Sequence, residues 1–502
     1  MSAYASFHVL QEIESSLGIF DYFSTFAHEE YAFLLESGRD PEKLGRYSFT
    51  SRRPFLVFKS KADRVTIIEG DRATEKKANP FEELRALMRR YRVDPALYGG
   101  SPLPFLGGAV GYFGYELCYL LEKLPCLGAD DLALPDAYFL FVDSVVIYDH
   151  LEQKMYVSAV GFDADPRGAE TKARRRLEEV LADIRRVERE GIPVPATAVE
   201  PGSDNGSRPQ LEFRAMFSEE GYMDVVQKAK EHIFAGDIFE VCTTHRLECD
   251  FRGDSFQLYR DLRAINPAPF ASYLNLPEVQ VVSSSPERFV RVRRDGVCES
   301  RPIKGTRPRG KTPRQDRDLH KELMSSIKDR AENIMIVDLV RNDFGRVCEV
   351  GTVQVSELMI IEKYATVFQM VSTIIGQLEE GRDCFDLIQA CFPGGSMTGA
   401  PKIEAMTIID ALEPVKRGIY SGSIGYLDFS GNVDLNIVIR TILVKDGKAY
   451  LQVGGAVVAD SDPREEYLET LTKARALIRA LQRATHSAER AVEVPALMSA
   501  PV

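Results

Sequence analysis

The stretch from Gly191-Ile-Pro-Val-Pro195 through Glu200-Pro-Gly-Ser-Asp-Asn-Gly-Ser-Arg-Pro209 holds too much Pro, Gly and Ser to build a core, and the apolar patterning changes across it. Before it, to about residue 160, short β-rich runs alternate with Gly and Pro turns: Tyr31-Ala-Phe-Leu-Leu35, Pro54-Phe-Leu-Val-Phe58, Val65-Thr-Ile-Ile68, Ala137-Tyr-Phe-Leu-Phe-Val142 and Lys154-Met-Tyr-Val-Ser158. Residues 166–190, dense in Arg, Glu, Leu and Ala, predict a charged surface helix. From about 213 long helical patterns interleave with strands. Leu323, Ile327, Ala331, Ile334 and Val337 recur at spacings of four and three, which predicts one amphipathic helix from Leu319 to Val340. The expected organisation is an N-terminal region at 1–190, a linker at 191–212, a catalytic region at 213–480 and a loose tail at 481–502.

A chain of 502 residues can bury one unusually large core or several smaller ones. With 44% hydrophobic and 27% charged residues its composition is that of a soluble globular protein. No run approaches the roughly 20 apolar residues of a membrane span, so no membrane partner is expected. The start, Met-Ser-Ala-Tyr-Ala-Ser-Phe-His, lacks the basic residues and apolar run of a secretory signal, and cytoplasm is the expected compartment. A net charge of −12 argues against nucleic acid, whose binding needs a basic surface, while leaving room for a small anion at a local basic cluster. The eight cysteines form no C-x-x-C pair and read as reduced, buried thiols.

Four segments of the second region bear chemistry. In Arg301-Pro-Ile-Lys-Gly-Thr-Arg-Pro-Arg309 basic side chains crowd a Pro- and Gly-interrupted strand end, as an anion site or a solvated loop would. Lys328-Asp-Arg-Ala-Glu-Asn333 and Asp338-Leu-Val-Arg-Asn-Asp-Phe-Gly345 put more polar groups on an apolar helical frame than can all face solvent. Helix-face ion pairs explain much of that cluster. Phe392-Pro-Gly-Gly-Ser-Met-Thr-Gly-Ala-Pro-Lys402 is not a nucleotide-binding loop, because Pro401 removes an N–H where that loop must donate. It reads as a glycine-rich turn that lets an anion approach the helix after it. Glu466 and Glu469 share a helix face after Val453-Gly-Gly-Ala-Val-Val-Ala-Asp460; they are either solvated or bridged by a cation such as magnesium, which takes one or two carboxylates and keeps its waters.

Taken in order, P-I-K-G-T-R-P-R-G, K-D-R-A-E-N, D-L-V-R-N-D-F-G-R, G-G-S-M-T-G-A-P-K, S-G-S-I-G-Y, I-R-T and G-G-A-V-V-A-D-S closely resemble the chorismate-binding half of the anthranilate synthase and aminodeoxychorismate synthase large subunits. The resemblance covers about 215–478, and the first half adds Phe33-Leu-Leu-Glu-Ser37, Gly45-Arg-Tyr-Ser-Phe49 and Pro104-Phe-Leu-Gly-Gly-Ala-Val-Gly-Tyr112. It implies an α/β (α+β) fold: a large two-layer β-sandwich of antiparallel sheets flanked by helices, built from both halves of the chain.

The resemblance also implies site roles. Glu332 and Glu469 match magnesium (Mg²⁺) ligands, with Glu466 on metal-bound water, and the metal holds the ring carboxylate of chorismate. Tyr426, Arg440, Gly454, Gly455 and Ala456 match positions that grip the substrate's carboxylates and enolpyruvyl group, Thr306 matches a ring-side contact, and Lys402 is expected at the substrate. Arg suits a carboxylate because its planar fork makes two parallel hydrogen bonds.

Lys304 separates the branches. The aminodeoxychorismate branch carries Lys in P-I-K-G-T where anthranilate synthases typically carry Ala, and G-G-S-M-T-G-A-P-K leans the same way. A neutral amine at Lys304 can attack C2 of the ring as the C4 hydroxyl leaves, if Arg301 and Arg307 beside it lower its pKa. Ammonia then enters at C4 and displaces Lys304, giving 4-amino-4-deoxychorismate. Glu287 matches the acid that protonates the departing hydroxyl. Glu240 stands where isochorismate and salicylate synthases carry a water-activating Lys and most amine-using members carry Gln; it is expected to orient ammonia or hold ammonium. Gln369 stands where the family usually has His, a position linked to pyruvate elimination.

Glu36 and Ser37 match the tryptophan-binding L-L-E-S of anthranilate synthases, so feedback by tryptophan is an expectation of the resemblance. No G-x-C-x-G turn occurs, so a separate glutamine amidotransferase is expected to supply ammonia. The alternatives are an anthranilate synthase large subunit, a synthase that aminates C2 and keeps the enolpyruvyl group, and a non-catalytic regulator that binds tryptophan or chorismate.

Overall fold

A computed structural model describes residues 4–37, 44–192, 211–364 and 367–493. Most of the linker expected at 191–212, and the end of the chain from 494, lie outside the described residues.

Among the described residues, strands from both regions build two antiparallel sheets, each of twelve strands. In the first, Phe33–Glu36 pairs with Phe270–Leu276, and Glu240–Asp250 lies against Lys448–Val457. In the second, Gly108–Phe113 pairs with Ser423–Asp428, and Ile303–Pro308 lies at one edge beside Val367–Gln377. The expected regions 1–190 and 213–480 therefore share both sheets, as the resemblance implies.

Side-chain alternation shows how the layers stack. Phe33, Val145, Ile147, Val281 and Leu443 enter the apolar cluster between the sheets, whereas their neighbours Leu34, Val146, Val282, Ile442 and Val444 enter a second cluster with helices. Period-two alternation with both faces apolar is what a strand buried on both sides requires. The helix expected at 166–190 is Pro166–Glu190, capped by the Asp165 side chain, with Ala169, Ala173, Leu177, Leu181, Ile184 and Val187 on its buried face.

Two expectations change. The helix predicted over Leu319–Val340 is two helices, Pro313–Ser325 and Ile327–Gly345, because Ser326 is extended and its hydroxyl caps the second helix at the Asp329 N–H. Ile327 is consequently 85% exposed. The tail expected from 481 starts inside a helix, Pro463–Glu493, in which Leu481 and Ala484 are fully buried.

Candidate active site

The site forms where the chain steps between the sheets. Glu287 lies between Val279–Ser285 of the first sheet and Arg288–Val292 of the second. Arg440, at φ 52°, lies between Val433–Asn436 of the second and Thr441–Lys445 of the first. Backbone hydrogen bonds tie the steps together: Ser284 N–H donates to the Arg440 carbonyl at 3.1 Å and Ile437 N–H to the Glu287 carbonyl at 2.9 Å.

Glu240 opens its strand and Lys304 comes from the opposite sheet's edge, and the Lys304 ammonium donates to Glu240 Oε1 at 2.6 Å. Both side chains are buried, and Glu240 Oε2 has no hydrogen-bond partner among the described residues. Burial alone would lower the Lys304 pKa, but the charges of Glu240 and Glu332 and the hydrogen bond to Glu240 outweigh it, so the net shift is upward. This corrects the expectation of a lowered pKa. Arg301 is paired with Glu357 and Glu362, and Arg307 with Glu322 and Asp329, so neither cation is free to act on Lys304.

Burial pushes the Glu287 carboxyl up to about 7, against the opposing pull of a hydrogen bond from Ser396, the Ile303 N–H, Lys304 and Arg440. Such a carboxyl carries a proton near neutrality. The Arg440 guanidinium has no hydrogen bond or ion pair among the described residues; burial lowers its pKa while Tyr420, Glu469 and Glu287 oppose this. An unpaired guanidinium in such a place is a receptor for an anion.

The carboxylates approach from two helices. Glu332 lies on Ile327–Gly345, and Glu466 and Glu469 lie in the first turns of Pro463–Glu493. Burial pushes Glu332 up to about 7, with Glu240 adding to it against Lys304 and Lys328. Lys328 Nζ stands 3.6 Å from Glu466 and 4.0 Å from Glu332, so a positive charge already occupies the space between them. Glu466 accepts from Ser461 at 2.7 Å, and Glu469 pairs with Lys473 at 2.7 Å. Among the described residues no group of three or more acidic, His or Cys side chains encloses an ion by itself. The all-oxygen donors and the stand-in ammonium nevertheless suit magnesium, which needs few protein ligands. Gly455 makes the room: a Cβ there would stand 2.8 Å from Glu466 Oε2 and 4.0 Å from Glu469 Oε1.

Not every predicted residue joins this cluster. Lys402 Nζ binds Asp343 at 2.6 Å and the Cys391 carbonyl at 2.8 Å, so it locks the glycine turn to the Glu332 helix instead of reaching the cluster. Thr306 is exposed on its strand, in register with Gln369. Gly454 and Ala456 flank Gly455 beside Thr244 and Cys242. Tyr426 stacks on Phe105 at 4.7 Å and lines a separate cavity of about 300 Å³ together with Glu36 and Ser37. Strand alternation and the pairing of Ser423–Asp428 with Gly108–Phe113 direct it there. The tyrosine that meets Arg440 electrostatically is Tyr420, buried and also facing Cys242 and Arg417. The motif holds two tyrosines six positions apart, both buried; Tyr420 lies in the turn before Ser423–Asp428 and Tyr426 on that strand, and this placement tells them apart. In the separate cavity the Glu36 carboxylate is already bound by Arg263 and by Tyr259 at 3.0 Å.

Comparison with known proteins agrees with this architecture. A family model described as chorismate binding enzyme matches residues 30–479. The chain is 40% identical over 483 residues to anthranilate synthase component 1 of Acetivibrio thermocellus, covering 95% of this chain and 94% of that protein. It is 39% identical over 450 residues to aminodeoxychorismate synthase component 1 of Bacillus subtilis (strain 168), covering 89% and 91%. The crystal structure of anthranilate synthase component I from Streptococcus pneumoniae TIGR4 superposes with a TM-score of 0.73 at 30% identity, over 86% of this chain and 92% of that one. With its two antiparallel sheets and flanking helices, this chain belongs to the chorismate-binding enzyme family.

Proposed function

We propose that this chain aminates chorismate at C4 to give 4-amino-4-deoxychorismate, with Lys304 as the covalent nucleophile at C2. Relatives of both names match at similar identity, so overall likeness does not choose between them. The observation that carries the reading is Lys304 itself, held on Glu240 in the same site as a protonatable Glu287.

Glu240, 2.6 Å away, takes the proton that Lys304 must lose before its nitrogen can attack. The C2–N bond forms, both ring double bonds shift by one position, and the C4–O bond breaks as Glu287 gives its proton to the departing hydroxyl, which leaves as water. Ammonia then bonds to C4, both ring double bonds shift back, and the Lys304 nitrogen departs from C2, recovering a proton from Glu240. Arg440 and Tyr420 receive a substrate carboxylate. Glu332 and Glu469, with Glu466 through water, would hold magnesium, which supplies a positive charge for the ring carboxylate. Gln369 offers an amide where a proton-transfer group would promote pyruvate loss, which supports retention of the enolpyruvyl group. Ammonia is assigned to a separate glutamine amidotransferase.

The test is the product formed from chorismate, Mg²⁺ and ammonium, read by mass spectrometry with and without an aminodeoxychorismate lyase. 4-Aminobenzoate only with the lyase supports the reading. Direct 2-aminobenzoate or a stable C2-aminated compound would overturn it and make Lys304 a substrate-binding cation. Separately, the cavity beside Ser37 favours tryptophan as a ligand, to be checked by whether tryptophan at about 1 mM, a weak ligand's working range, changes rate or melting temperature.

A further inference from the structure

A cavity of about 20 Å³ adjoins Glu287, walled by Ser396, Asp343, Gly395, Cys391 and Ile437. One water needs roughly 10–15 Å³ of such space and two or more polar partners. The partners are present: the Glu287 carboxyl, the Ser396 hydroxyl on the same cavity wall, close enough to pull the Glu287 pKa down, and the Asp343 carboxyl. Asp343 is in turn bound by Lys402 at 2.6 Å, and the Lys402 side chain keeps 14% exposure, a route to solvent. The glycine turn presses Ser396 into place. A Cβ at Gly395 would stand 1.9 Å from Leu339 Cδ2 on the Glu332 helix, and one at Gly394 2.5 Å from Ile437 Cδ1.

We propose that Ser396, Asp343 and Lys402, joined by one water in this cavity, form the line that returns a proton to Glu287 after each turnover. The proposal rests on Glu287 acting as the general acid. Once its O–H bond has broken, Glu287 is a carboxylate that is 5% exposed and must be recharged. Lys402 passes a proton to Asp343, Asp343 to the water, the water to Ser396, and Ser396 to Glu287. Lys402, left as an amine, takes a proton from solvent. Every bond but that to Glu287 returns to its starting state, and the net transfer is one proton from solvent to Glu287. Asp343 and Lys402 touch neither substrate nor reacting atoms; they are positioning residues that act through Glu287. This accounts for a lysine that stands on Asp343 instead of in the substrate cluster.

The experiment is rapid quench of the full chain with chorismate, Mg²⁺ and ammonium, resolving the first turnover from later ones. In a run below pH 7, Glu287 starts the first reaction protonated, so a broken line leaves the first turnover intact. Ser396→Ala and Lys402→Met should complete one turnover per site at the wild-type rate and then run about tenfold or more slower, the scale of a lost proton-transfer group. Lys402→Arg, which keeps a cation on Asp343, should restore the later turnovers. Equal slowing of first and later turnovers, or no slowing, in Ser396→Ala would overturn the relay; that variant removes only an oxygen and decides the matter if Lys402→Met does not fold. Glu287→Gln separates the two levels. If it leaves the first turnover untouched, the general-acid reading itself fails; if it abolishes that turnover while Ser396→Ala shows no burst, only the relay fails.

Discussion

The Lys304 ammonium and the Glu240 carboxylate meet at 2.6 Å across the two sheets, and both are buried. Removing one member strands a buried charge, which costs about 3–5 kcal/mol, whereas removing both leaves no charge to strand. Lys304→Met and Glu240→Gln should each lower stability in urea unfolding by about that amount, and the double variant by clearly less than their sum. Additive losses would show that the two charges are not coupled in solution.

Arg440 makes the opposite case. It has no partner to lose, so Arg440→Met should leave the melting temperature level or slightly raised. Chorismate binding should weaken about tenfold to a hundredfold, the worth of a charge-assisted hydrogen bond of roughly 1.5–3 kcal/mol. A titration with chorismate beside a thermal melt reads both quantities; a lower melting temperature with unchanged binding would contradict the assignment.

Glu287, pushed up to about 7 by burial, should set the alkaline limb of the rate profile. In the proposed role of general acid it acts when protonated, below that value, so the rate should fall as pH rises through about 7. Glu287→Gln should remove the limb and cut kcat by about a hundredfold or more. A profile that keeps the limb in the variant would assign it to another group.

Stability without metal should also depend on pH. Burial pushes Glu116, Glu287 and Glu332 up to about 7 and Asp428 up to about 6. Each is raised above its unfolded value of roughly 4, so its contribution to stability is complete below that pH and is lost as pH rises through the folded value. Urea unfolding should therefore show these groups stabilising the fold at pH 5.5 relative to pH 8. Under the proposed assignment, in which Mg²⁺ is held by the ionised form of Glu332, the ion should stabilise more at pH 8 than at pH 6. An equal Mg²⁺ effect at both, or one that survives Glu332→Gln, would place the ion elsewhere.

Gly455 tests the shape of the carboxylate cluster. A methyl group at this position would stand 2.8 Å from Glu466 Oε2 and force that side chain to move. Gly455→Ala should weaken Mg²⁺ binding about tenfold, as loss of outer-shell support does, with little change in unfolding without metal. Unchanged Mg²⁺ affinity would mean that Glu466 takes no part.

Much of this protein was legible before folding. Alternating apolar runs such as Ala137–Val142 came out as strands, and the charged stretch at 166–190 is one helix with a single buried face. The ordered motifs around Lys304, Glu332, Arg440 and Glu469 marked both the family and the side chains that converge. Local chemistry decides these features, because periodicity, capping and residue type are written along the chain.

What the chain could not announce depends on distant segments. Whether Lys304 is acidic or basic rests on Glu240, sixty-four positions earlier, and on the other sheet. Whether Tyr420 or Tyr426 faces Arg440 rests on how the fold places the turn that holds Tyr420 and the strand that holds Tyr426, and Lys402 reaches Asp343 because a helix packs against a turn. Residue types and their order determined the family and the candidate chemistry; tertiary packing alone decided each group's partner, burial and charge, because the electrostatic energy of a buried group is set by the neighbours the fold brings to it.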